Sequence, residues 1–84
     1  MNAKHRKTLA ALFASPVPRT LAFRDIESLL RAIGCKVEER PGSAVGFMKD
    51  NASVGFHRPH PGKEAKPYMI KAAREFLERI GVKP

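Results

Sequence analysis

The chain holds a single cysteine, Cys35, so it cannot close an internal disulfide. Cys35 follows Gly34 and opens an alternating run, which predicts a small buried residue rather than a nucleophile. No stretch approaches the ~20 consecutive apolar residues of a membrane-spanning helix. No signal-peptide pattern opens the chain, so a cytoplasmic location and no membrane partner are expected. Internal repeats and low-complexity tracts are absent, which excludes solenoids and disordered tails. Metal-ligand clusters are scarce too. His57-x-x-His60 has a metal-like spacing, but it offers two ligands with Pro59 between them and no cysteine or acid cluster nearby. A structural zinc site needs four ligands, so neither a metal nor a cofactor is expected. Acidic residues are missing altogether from the first 24 positions, where five bases stand.

What is present is a small basic chain. Its 84 residues are 43% apolar and 29% charged, the composition of one globular domain with a thin core. The net charge is +8, distributed unevenly. Residues 25–40 carry three bases against four acids, and residues 41–84 carry eight against four. Basic ends around a slightly acidic middle point to a polyanion, most often nucleic acid.

Local patterns divide the chain into six elements. Asn2 can cap a helix over residues 3–14, with Leu9, Leu12 and Phe13 in one stripe. Lys4, His5, Arg6 and Lys7 sit in its first turns against the helix dipole, which suggests that the cluster has a partner or that the first turn frays. Ser15-Pro16-Val17-Pro18 ends it. Phe23, Ile26, Leu29, Leu30 and Ile33 mark a second helix, closed by Gly34. Three short alternating runs follow: Cys35–Arg40, one through Val45 and Phe47, and one through Ala52, Val54 and Phe56. Pro41-Gly42-Ser43 and Lys49-Asp50-Asn51 are the turns between them, so an antiparallel meander is predicted. The last helix starts near Pro67 and buries Met69, Ala72, Ala73, Phe76, Leu77 and Ile80. Lys71–Glu75 and Arg74–Glu78 have the spacing of surface ion pairs. The fold class is α+β: an α-β-β-β-α core with a three-stranded antiparallel sheet, two helices on one face, and an extra N-terminal helix.

The chemistry gathers in Phe56–Tyr68. This tract holds His57, Arg58, His60, Lys63 and Lys66, stiffened by three prolines. Histidine moves protons near neutral pH, and lysine and arginine hold phosphate. RNA cleavage asks for these parts: a base for the 2′-OH proton, an acid for the leaving oxygen, and a cation on the phosphate. Arg58, Lys63 and Lys66 are the candidate phosphate contacts, and His57 and His60 the candidate proton carriers. Phe47 and Phe56 are expected in the core. Tyr68 can stack on a base, but packing is expected at the start of a helix.

A helix ending in glycine, a Gly-Ser turn, a hairpin, and a histidine-rich loop with Lys-Glu-x-Lys-Pro together resemble the HicA family of toxins. The resemblance rests on Ile26–Gly34, Gly42-Ser43, Val54–His57 and Lys63–Pro67, and it covers residues 23–84. Residues 1–22 are then a helical extension and linker within the same domain. The resemblance implies a double-stranded-RNA-binding-like fold, ribosome-independent cleavage of mRNA, growth arrest, and neutralisation by a HicB-type antitoxin that blocks the active site. It also implies a catalytic histidine directly after the Gly-Ser turn, beside Ser43 as an RNA contact. Alanine occupies that position here, as Ala44. Three readings fit Ala44: an engineered replacement that disarms the toxin, a natural variant in which chemistry has moved to His57 or His60, or a chain that binds RNA without cutting it.

Overall fold

The structure is a computed structural model that describes residues 1–59 and 63–84. His60 therefore lies outside the described residues. Helix α1 (Ala3–Leu12) and helix α2 (Phe23–Ala32) precede strands β1 (Lys36–Glu39), β2 (Ala44–Lys49) and β3 (Ala52–His57), and helix α3 (Pro67–Arg79) closes the order. This is the expected α+β arrangement, with boundaries drawn in by one or two residues where helix and strand ends fray.

The sheet is an antiparallel meander in the order β1-β2-β3. Its second hairpin turns on two residues, Asp50 and Asn51, with φ of 50° and 68°. Both occupy the left-handed region that a two-residue hairpin of this hand requires, and Asp and Asn tolerate it better than most residues. The register Val37↔Phe47↔Val54 and Glu39↔Val45↔Phe56 defines one face. That face meets α2 and α3 in a core containing Ile26, Leu29, Leu30, Met69, Phe76 and Leu77. Phe56 stands edge-on to Phe23 of α2, with ring centroids 5.3 Å apart, and edge-on to Phe47 at 6.0 Å. The two strand phenyls are thus core residues, as their alternation predicts.

Helix α2 has no side-chain cap at its start. The loop before α3 supplies the partner instead. The Phe23 N–H donates to the Lys63 carbonyl at 2.9 Å, and the Ala65 N–H donates to the Leu21 carbonyl at 2.7 Å. Residues 63–65 are thereby stitched to the start of α2. At the other end, Gly34 takes φ +94°, the left-handed turn that ends a helix at low cost in glycine.

Helix α1 packs on α2 and α3. The Asn2 side chain accepts from the His5 N–H at 2.8 Å, and the Asn2 N–H donates to His5 Nδ1 at 3.4 Å. This is a capping box with histidine in the place usually held by Glu or Gln. His5 Nε2 lies 2.9 Å from Ser28 Oγ, within hydrogen-bond distance, and joins α1 to α2. Lys4 reaches Asp25 at 3.4 Å, so part of the basic cluster finds its partner on α2. Two expectations about α3 change. Arg74 does not pair with Glu78: its Nε and Nη2 donate to the Leu12 and Ala14 carbonyls at 2.7 and 3.2 Å, closing the C-terminal end of α1. Ile70, one turn before Arg74, is buried, which widens the apolar stripe beyond the one predicted. Lys71–Glu75 is not among the ion pairs of the described residues.

Candidate functional site

The second face of the sheet faces away from this core. Register places Lys36, Met48 and Ser53 in one row, Glu38, Gly46 and Gly55 in the next, and Ala44 opposite His57 at the end. Arg40 extends that last row, because its N–H donates to the Ala44 carbonyl at 3.0 Å across the Pro41–Ser43 turn. Gly42 holds φ +72° inside the turn, where a side chain would be strained. The Arg58 N–H donates to the Ser43 carbonyl at 2.9 Å and ties the turn to the end of β3. Ser43 and His57 are exposed, and Ala44 is half-buried between them. Directly opposed residues in an antiparallel pair hold their Cβ atoms about 5 Å apart. The position after the Gly-Ser turn and the histidine ending β3 are therefore side-chain neighbours on one open surface.

Arg40 also lies on this face, a residue that the sequence reading did not single out. Its guanidinium lies on the glycine pair of the neighbouring row. A Cβ added to Gly46 would stand 2.5 Å from Nη2 and 2.8 Å from Cζ, and one added to Gly55 would stand 3.2 Å from Nη1. The signal was available. Two glycines in adjacent strands mark a close approach, and here what approaches is an arginine. Nε of Arg40 donates to Glu38 at 3.0 Å.

Arg58 goes the other way. Successive strand residues point to opposite faces, so Arg58 turns inward where His57 turns outward. It donates to Glu27 of α2 at 3.1 and 2.9 Å and to Glu39 of β1 at 2.8 and 2.9 Å. Glu27 is also held by Arg31 at 3.0 Å. Hydrogen bonds from Arg58 are the main reason that both carboxyls are held below the ordinary carboxylate range, and burial of Glu27 opposes the shift only in part. The same bonds, Glu39 first and then Glu27, raise the pKa of Arg58. A phosphate reaching for Arg58 would have to displace two carboxylates. Arg58 thus acts as a brace that joins β3, β1 and α2 behind the Ser43–Ala44–His57 surface.

The remaining candidates separate. Lys63 lines a groove with Phe23, Arg24, Glu27, Arg58 and Pro59, on the inner side of the β3 end. Lys66 is the exposed residue preceding α3. Tyr68 is not packed away, contrary to expectation: it is 57% exposed in the first turn of α3. Burial pushes the thiol of Cys35 up, as suits a small core residue. Among the described residues, no group of three or more His, Cys, Asp or Glu side chains gathers around a metal position.

Residues 23–82 match the family described as HicA toxin of bacterial toxin-antitoxin, from the start of α2 through α3. The chain belongs to the HicA toxin family. It is built as the toxin component of a toxin–antitoxin system, which implies an antitoxin partner. No curated protein and no solved structure matches the chain. The HicA match begins at Phe23, so α1 and the linker after it lie outside the matched region. Among the described residues, no helix is long and apolar enough to cross a membrane.

Proposed function

We propose that this HicA toxin acts on mRNA as a ribosome-independent endonuclease, with the outer face of the sheet as its RNA platform. The register pairing of Ala44 with His57 on that open face carries the reading. His57 is the proton carrier that remains beside the Gly-Ser turn. It takes the 2′-OH proton so that the oxygen attacks the adjacent phosphorus, and the 5′-oxygen leaves with a proton from water. Lys66 supplies a cationic contact before α3, Ser43 offers its hydroxyl at the turn, and Lys63, in the inner groove, is not assigned to this platform. A HicB-type antitoxin neutralises the toxin by covering the same face.

Alanine at position 44 favours a second reading, an RNA-binding module that does not cut, because alanine moves no proton. Purified chain incubated with mRNA in the absence of ribosomes separates the two. The endonuclease reading expects slow fragmentation that disappears in His57→Ala. Intact RNA, together with binding that weakens steeply as salt rises, supports the binding module instead. Fragmentation that persists unchanged in His57→Ala removes His57 from the chemistry.

A further inference from the structure

We infer that Arg40, seated on the Gly46–Gly55 pair, is a phosphate-holding cation for RNA on the outer sheet face, working beside His57. This rests on the RNA reading above and names a contact within it.

Glycine weakens a strand, because it packs nothing and loses more backbone freedom than other residues. Gly46 and Gly55 are direct register partners at mid-sheet. Their shared cost has a visible counterpart, since a side chain at Gly46 would displace the Arg40 guanidinium from its seat on the strand. Three guanidinium atoms lie within 3.2 Å of the Cβ position at Gly46, so the planar group rests on the strand itself. Nε is engaged by Glu38, which fixes the group from behind. Nη1 and Nη2 have no hydrogen-bond partner among the described residues, and the side chain is 44% exposed. A planar fork with free N–H groups, held flat and half open to solvent, suits a phosphate better than a flexible lysine does.

Its position matters as much as its form. Arg40 reaches across β2 to Gly55, and His57 is the next residue of β3 on the same face. Same-face neighbours along a strand are about 6.8 Å apart. A phosphate hydrogen-bonded to the Arg40 fork can therefore present the adjoining ribose to His57. Arg58, engaged by Glu27 and Glu39 on the opposite side, is not placed for this.

The test is titration of a short single-stranded RNA with wild type, Arg40→Ala, Arg40→Lys, Gly55→Ala and Gly46→Ala across a salt series, with circular dichroism confirming the fold of each. Arg40→Ala should bind about tenfold more weakly. Its log-affinity against log-salt slope should be shallower by about 0.7, the signature of one lost phosphate on a single strand. Gly46→Ala and Gly55→Ala should reproduce part of the loss by lifting the guanidinium, and adding either to Arg40→Ala should cost nothing more. Arg40→Lys should keep the salt slope and lose affinity. Wild-type RNA binding that is untouched in Arg40→Ala, with an unchanged slope, overturns the role of Arg40 and leaves the RNA reading standing. An Arg40→Ala chain that loses only its hold on an acidic protein partner overturns it as well. Absence of RNA binding by the wild type at low salt overturns both.

Discussion

On the inner face of the sheet, Val45, Phe47 and Phe56 disappear beneath α2 and α3. On the outer face, the same strands carry Ala44, Gly46, Gly55 and His57, with Arg40 lying over the two glycines. The inner face is filled and dry, and the outer face is kept low. Small residues there hold no core together, so their selection answers to something other than packing. His57 and Arg58 show the contrast in two consecutive positions. One points out to solvent, and the other is bound to two carboxylates within the fold. Residue type alone had grouped them as parts of one site, and strand parity separates them.

The comparison is sharpened most by Ala44→His. A second imidazole at that position would stand beside His57 and could serve as the missing acid or base. Cleavage of mRNA should rise by about 10² to 10⁴-fold, measured as initial rates under equal RNA saturation. Thermal stability should hardly move, because the substitution falls on the open face. A large loss of stability would mean that the outer face is packed after all.

The inner face should respond in the opposite sense. Phe47→Ala removes a fully buried ring and should cost about 3–5 kcal/mol in chemical denaturation. A cost below about 1 kcal/mol would contradict the close packing of Phe47 against Phe56. Arg58→Ala breaks a partly exposed brace and should cost less, about 2 kcal/mol. Its more specific effect should be on the outer face. Cleavage, or RNA binding if cleavage is too slow, should fall although the side chain points away from it, because Ser43 and His57 lose their common anchor. Full retention of both under native conditions would deny Arg58 any positioning role.

The smallest effect is a pH dependence. Glu27 and Glu39 have folded-state pKa values below their ordinary 4.5. The unfolded chain therefore takes up protons first as acid is added. The stability these groups contribute is complete above about pH 4.5 and is lost as pH falls through their lowered folded values. Glu27→Gln should lower the melting temperature at pH 7 and flatten its decline as pH falls below about 4.5. A decline as steep as that of the wild type would place the acid sensitivity elsewhere.

Much of the fold was legible because its signals are local. The stripes of α2 and α3, the glycine after α2 and the Asp50-Asn51 hairpin each lie within a few residues of what they determine. The placement of Ala44 beside His57 was also legible, since a short hairpin fixes which strand ends meet. Three features were not. The carboxylates holding Arg58 come from positions 31 and 19 residues away, and no local pattern announces them. The use of Arg74 depends on where α1 docks. The exposure of Tyr68 depends on where the loop stitched to α2 delivers the start of α3. Arg40 lies between these cases: the glycines that seat it were visible as spacing, but the side chain that fills the gap was not.

The bonds from Arg74 to the carbonyls of Leu12 and Ala14 span 62 and 60 residues of chain. During synthesis α1 emerges before α3, which carries the group that closes its C-terminal end. Contacts of such separation form late, because the intervening loop must be closed before they are rewarded. In refolding, the amides of α1 should accordingly gain protection from exchange only once α3 is in place. The segment outside the HicA match would then be among the last parts of this toxin to be completed.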